Sequence, residues 1–332
     1  MRLALPPTID AAAFVARDPA ALVFDLHGET MGTMWSVRFA GPAGTDTVAL
    51  RQSIVARLAE LVREMSHWLP DSVLSRFNRS VAGSWTTLPP DVAHVMTRGL
   101  AIAETTRGAF DPAIGKLVDA WGFGPAAAPG PPTAADIQGA RATSGWSRLT
   151  LVPAGTSAGV SARAHLHQPG GIALDLSGIA KGYAVDVVAD LLRRAGIANA
   201  LVEIGGELVG RGIRPDGDPW WVDLETPPGS TIAPLRIALH GLAVATSGDY
   251  RRGAHTIDPR TGHPIDTGVV SASVIHATAL DADAWATALT VLGPLDGLDL
   301  ARDHRIAARL VTTIDGESRE YLSPALVAML DA

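Results

Sequence analysis

Residues 174–186, Leu-Asp-Leu-Ser-Gly-Ile-Ala-Lys-Gly-Tyr-Ala-Val-Asp, impose the strongest local constraint in this chain. Ile172, Leu174 and Leu176 alternate with smaller or polar residues, the period-two pattern of a buried strand. A turn at Ser177-Gly178 then leads into a helix carrying Val187, Val188, Leu191 and Leu192. Ser177 reads as its N-cap and Gly196 as its closing glycine. Lys181 falls in the first turn, where the helix dipole favours negative charge rather than positive. Free helix amides, a lysine and a glycine permitting close approach are a setting for phosphate. Asp175, just before the turn, can serve a metal, a hydroxyl or a ring nitrogen. A buried aspartate closing a turn beside a solvated lysine fits equally well, so the stretch alone leaves both readings open.

The flanking pattern sets the fold class. Strands are expected over 22–30 and 31–39, with a glycine-containing bend between them, and an apolar stripe of Ile54, Leu58, Leu61, Val62 and Met65 marks a helix over 48–65. Further helices are expected over 89–106, 116–121, 133–141 and 281–292, and a Gly/Pro/Ala-rich surface loop over 122–132. Strands read over 149–151, 200–204, 208–212, 220–224, 235–239 and 269–275, with a terminal strand over 307–314. Strand clusters in hairpin order with helices between them give an α+β fold of mostly antiparallel or mixed sheets packed with helices. Residues 1–20 are expected as a loosely held arm and 21–332 as a single domain.

Composition removes several function classes. A net charge of -7 with a pI near 5.8 argues against a nucleic-acid partner. The absence of cysteine excludes disulfides, thiolate catalysis and zinc–cysteine sites. No run of about eighteen apolar residues occurs, so no transmembrane segment is expected. The N-terminus lacks a signal-peptide core, so the sequence as it stands reads as cytoplasmic, or as periplasmic if a signal segment has been removed. The common phosphate-loop, dinucleotide, zinc-protease and serine-hydrolase motifs are all missing.

Two other places can carry chemistry. Asp283 and Thr287, four apart on the 281–292 helix, lie on one face, and an oxygen set of this kind suits a hard cation such as Mg²⁺. An ordinary acidic helix start with an inward threonine is the competing reading. Among the ten histidines, His255 stands out beside Ile257-Asp258-Pro259, because a general base needs a pKa near the working pH. His67, His94, His165, His167, His263 and His304 lack such surroundings in the sequence.

Taken together, these segments resemble the ApbE family of FAD:protein FMN transferases. The matching residues are Met31-Gly32-Thr33, Met65-Ser66-His67-Trp68 through Phe77-Asn78, Gly108-Ala109-Phe110-Asp111-Pro112, and Trp121-Gly122-Phe123-Gly124. Asp175 to Asp186, Gly205-Gly206-Glu207-Leu208, and Ala245-Thr246-Ser247-Gly248-Asp249-Tyr250 continue the series. It ends with His255 to Gly262 and Asp283 to Gly293. The segments occur in family order over about residues 28–293. The resemblance implies an ApbE-like fold and a Mg²⁺-dependent enzyme. It would move the FMN half of FAD onto a Ser/Thr hydroxyl of an acceptor protein and release AMP. It further implies FAD contacts from Met31, Trp68, Ala109, Phe110, Asp111, Asp175, Lys181, His255 and Ile257. Mg²⁺ would be held by Asp283, Thr287 and the carbonyl of Gly178, and catalysis would fall to His255, as base, and Asp175. Two alternatives stand beside it: Mg²⁺-dependent hydrolysis of FAD to FMN and AMP at the same site, and an FAD carrier without turnover, which needs neither metal nor base. Two departures stand out. Family members are commonly exported, often as lipoproteins, and Trp68 occupies a position where the family often has tyrosine.

Overall fold

The computed structural model describes residues 1–9, 11–15, 17–126, 130–155, 163–248 and 255–330. Where the sequence reads as one domain from residue 21, the structure divides into two compact units. The first comprises 1–59, 181–251 and 267–332, and the second 60–180 and 252–266. Both are discontinuous in sequence.

The first unit is built on an eight-stranded sheet. Its strands are Leu22–Thr30, Thr33–Gly41, Ala200–Ile204, Glu207–Arg211, Leu242–Gly248, Val269–His276, Ala307–Ile314 and Glu317–Leu322. Their order across the sheet is their order in the chain, and every pair is antiparallel. The sheet is therefore one long meander, with other elements inserted between strands. Its first hairpin turns at Met31-Gly32, with φ of 50° and 70°. Two positive φ values in a two-residue loop match the right-handed twist of the flanking strands. A small sheet joins Arg2–Ala4, Leu235–Leu239 and Trp220–Asp223, its first pair parallel. Trp220, Leu235, Ile237 and Leu239 bury against Leu326 and Met329.

Within the stretch expected as an arm, Arg2–Ala4 is hydrogen-bonded into this sheet, Ala4 is fully buried, and the Arg2 guanidinium grips both oxygens of Glu320. The strand over 307–314 is not terminal either. A tight turn at Asp315-Gly316 returns the chain as Glu317–Leu322, and the helix Pro324–Leu330 follows.

Two helices in this unit matter most, Ala180–Arg194 and Ala279–Asp303. The second is broken at Gly293, before Pro294, which cannot donate to the helix ladder. The expected helix over 281–292 is thus its first arm. Among the described residues, no helix is long and apolar enough to cross a membrane.

The second unit carries the helices Val73–Asn78, Pro90–Thr105, Gly115–Ala120 and Ala134–Ala142, with a three-stranded sheet of Trp85–Thr87, His165–His167 and Thr150–Val152. The 172–176 segment lies here and is not a strand, contrary to its period-two pattern. It is buried, and side chains supply the hydrogen bonds of two of its residues. Gln168 accepts from the Ile172 amide and donates to its carbonyl, and Asn78 does the same for Leu174. The Gly115 amide donates to the Ala173 carbonyl, and the Asp175 amide to that of Pro112. A buried backbone must be satisfied, and two amide side chains stand in for a neighbouring strand.

Candidate active site

In the first unit, the helices Ala180–Arg194 and Ala279–Asp303 cap one another. Asp186 accepts from the amides of Ala279 (3.0 Å) and Leu280 (2.9 Å), and Asp283 accepts from the amide of Gly182 (3.0 Å). Each helix lends a carboxylate to the orphan amides at the other's N-terminus. The approach is close enough to require glycine, since a Cβ at Gly182 would lie 2.1 Å from the Ala279 carbonyl oxygen. The first of these helices begins at Ala180, so Ser177 precedes it instead of capping it. The amide of Ser177 donates to Asp175 Oδ1 at 2.7 Å, closing the turn two residues on.

Lys181 is half-buried and matched by an acid. Its ammonium lies 2.5 Å from Glu207 Oε1, with the Glu207 side chain almost wholly buried. Glu207 Oε2 is also buried and has no hydrogen-bond partner. Burial pushes the Glu207 carboxyl above its usual range, and the Asp283 charge adds to the rise, against the opposing pull of Lys181. Asp283 is buried and raised as well, opposed by Lys181 and the Gly182 amide. Two buried carboxylates thus face one ammonium. Thr287, half-buried, stands one turn along the same helix from Asp283. Met31 sits at the hairpin turn in the left-handed region, an unfavourable place for a side chain and of the kind that concentrates at functional sites.

The second unit holds the other candidates. Trp68 is 62 % exposed, on the loop after the helix Thr47–Met65. Ala109 and Phe110 are buried, and Phe110 packs toward Gly99 of the Pro90–Thr105 helix. The Asp111 carboxylate accepts from the amides of Ala113 (2.7 Å) and Trp146 (3.0 Å), and burial still drives it up to about 6. Ile257 is buried with Leu117 and Ile137. Gly178 is half-buried in the turn before the helix.

His255 is half-buried, with its ring edge-on to Phe123 at 6.4 Å. The segment after it is well braced. Ile257–Asp258 pairs with His263–Pro264, Arg260 clamps Asp258 through two hydrogen bonds, and the Trp121 indole donates to the Gly262 carbonyl at 2.8 Å. Asp249 and Tyr250 of the preceding motif lie outside the described residues.

Sequence reasoning missed two partners. Glu207 reads there only as part of a glycine turn. His67, which lacks suitable neighbours in sequence, has Nδ1 3.5 Å from Asp175 Oδ1, with both side chains close to nine-tenths buried. Burial opposes charge on both, but the mutual attraction outweighs it, raising His67 and lowering Asp175. Neither pairing has a local signal, because the partners are 26 and 108 residues apart in the chain.

The chain matches the model of the ApbE family over residues 31–310. It is 35% identical to an FAD:protein FMN transferase of Klebsiella pneumoniae, over 94% of this chain and 91% of that one. It is 34% identical to the Escherichia coli K12 protein of the same name, over 95% and 91%. Among solved structures, the Vibrio cholerae flavin transferase ApbE superposes with a TM-score of 0.84 at 35% identity, covering 93% of this chain and 99% of that one. The apo flavinyl transferase ApbE of Pseudomonas stutzeri gives 0.85 at 35% identity, covering 94% and 98%. With the family model spanning most of its length, and relatives this similar along nearly the whole chain, the protein belongs to the ApbE family.

Proposed function

We propose that this enzyme transfers the FMN half of FAD to a serine or threonine hydroxyl of an acceptor protein, releasing AMP, with Mg²⁺ at its site. The names of its relatives support the transfer. The observation that carries the chemistry is the cluster around Lys181, where two acids, Glu207 and Asp283, are both buried against its ammonium and raised by burial. A divalent cation would draw such buried carboxyls into their ionised form, and an oxygen donor set suits Mg²⁺.

Asp283 and Thr287 would hold the ion, with the Gly178 carbonyl as a further ligand. Among the described residues, no group of three or more His, Cys, Asp or Glu side chains is placed to hold a metal. The remaining positions would then fall to waters and substrate phosphate oxygens, as is usual for this ion. Bound there, Mg²⁺ would supply electrostatic stabilisation to the phosphoanhydride as its charge develops.

The chain's own residues do the rest. Lys181 offers its ammonium to the pyrophosphate. Met31 and Trp68 give polarisable and aromatic surface for the rings of FAD. Ala109, Phe110, Asp111 and Ile257 have buried side chains, so their contacts would come from the backbone they hold in place. Asp175 accepts a hydrogen bond from the ligand. His255 takes the proton of the acceptor hydroxyl as its oxygen attacks the FMN phosphorus. The bond from that phosphorus to the bridging oxygen breaks, and AMP leaves.

The test is to incubate the protein with FAD, Mg²⁺ and a Ser/Thr-bearing acceptor peptide. Equimolar AMP and FMN-modified peptide, seen by mass, are expected. AMP released at the same rate without peptide would replace this reading with hydrolysis, and no AMP under either condition would replace it with a carrier. His255→Gln is expected to slow single-turnover transfer by about 10²–10⁴-fold, far more than it weakens FAD binding. A variant that transfers at the wild-type rate would remove the base assignment.

A further inference from the structure

The pairing of His67 with Asp175 has no place in the chemistry above, yet the fold goes to some length to hold it. His67 sits on the loop entering the helix Val73–Asn78, and the Ser75 hydroxyl of that helix donates to the carbonyls of both Ser66 and His67. Asn78, the last residue of the same helix, pins the Leu174 backbone beside Asp175 through two hydrogen bonds. One short helix therefore fixes both partners. The contacts of Asp175 with His67 Nδ1 (3.5 Å) and with the Ser177 amide (2.7 Å) both fall on Oδ1. His67 Nε2, by contrast, is buried with no partner. A histidine kept only for packing is expected to satisfy both ring nitrogens, so the orphaned nitrogen marks a ring placed for the sake of its Nδ1. Trp68, with its ring 5.3 Å from that of His67, carries the arrangement out to the surface.

We propose that His67 is a positioning residue that acts through Asp175, fixing the carboxylate with which the enzyme accepts a hydrogen bond from a hydroxyl or ring N–H of FAD. This rests on the reading that Asp175 contacts FAD. The imidazole supplies the counter-charge that lets a buried carboxylate stay ionised, and so stay an acceptor. The other charged groups that bear on the pair are Asp119, which favours charge on His67, and Lys116, which acts on Asp119. Without the imidazole, burial dominates, Asp175 takes up a proton at higher pH, and a neutral carboxyl presents the wrong hydrogen-bonding partner.

The test follows FAD affinity by flavin fluorescence across about pH 5 to 8 for the full chain, with folding checked by near-ultraviolet circular dichroism at each pH. With Asp175 protonating inside that range, His67→Leu is expected to lose affinity on the acid side by about tenfold per pH step of one, relative to its own value near pH 8. Wild type is expected to stay within about twofold over the same range. His67→Asn, whose amide can still donate where Nδ1 did, is expected to recover part of the loss, and it carries the test if His67→Leu does not fold. In an Asp175→Asn background, His67→Leu is expected to add nothing. Parallel pH profiles for wild type and both His67 variants, or an equal loss in the Asp175→Asn background, would overturn the proposal alone. A wild-type protein that binds no FAD at any pH would overturn it together with the proposed function.

Discussion

Lys181 shows what a single residue loses when it is read without its neighbours. A cation in the first turn of a helix opposes the dipole, and from sequence the relief could come from a bound phosphate or from solvent. In the structure, two buried acids, Glu207 and Asp283, already face its ammonium, and burial raises both. The lysine's odd position is legible in the sequence, but its partner is not, because Glu207 opens a strand after a glycine turn and carries no mark of its own. Asp283 has two tasks, holding the Gly182 amide and, in our reading, the metal. Asp283→Asn separates them, since the amide side chain keeps an oxygen for Gly182 while losing the charge. Transfer at saturating Mg²⁺ is expected to fall by about 10²-fold or more, with little change in thermal midpoint. A variant that keeps its rate would free Asp283 from the metal site.

At the scale of elements, the 172–176 segment is the instructive case. Its apolar residues are buried as the pattern implies, but periodicity reports burial and says nothing about who satisfies the backbone. The partners are an asparagine 96 residues away and a glutamine four residues away, each imitating a strand edge. By contrast, most hairpin strands and the mutually capping helices follow from local pattern, because turn chemistry and apolar spacing lie within a few residues. Asp186 lies within the motif itself, yet only the helix pairing gives it work. The borrowed strand edge predicts a large effect from a small change. Asn78→Ala leaves a buried amide and a buried carbonyl of Leu174 unpaired, and is expected to cost about 2–4 kcal/mol in urea unfolding. Amide exchange at Leu174 should quicken with it. An unchanged midpoint would mean that water or a shifted chain replaces the side chain without cost.

The whole molecule carries an unusual balance of buried acids. Asp111 and Asp186 are both raised to about 6, chiefly by burial, and Glu207 and Asp283 are raised in the same direction. For each, the folded protein holds a proton over a pH range in which the unfolded chain has released it. Stability therefore falls as pH rises from about 4 through each folded value, since the folded state binds more protons there. His67, raised by Asp175, contributes in the same sense, its part being complete below about 6.5 and lost above its folded value. Asp175 and Glu320 are lowered and work the other way, but their stabilisation is lost only as pH falls below about 4. The two groups of acids meet near pH 4: above it the raised acids lose stabilisation, and below it the lowered ones do. Urea unfolding without ligand is thus expected to show a maximum close to pH 4. A loss of about 2 kcal/mol or more is expected by pH 8, since a tenfold difference in proton affinity between folded and unfolded chains is worth about 1.4 kcal/mol. Asp111→Asn and Asp186→Asn keep an oxygen for the amides these carboxylates serve, and each is expected to flatten the limb between about pH 4 and 6. A wild-type profile that rises from pH 5 to 8 would show these carboxyls to be ionised and otherwise compensated in the folded state.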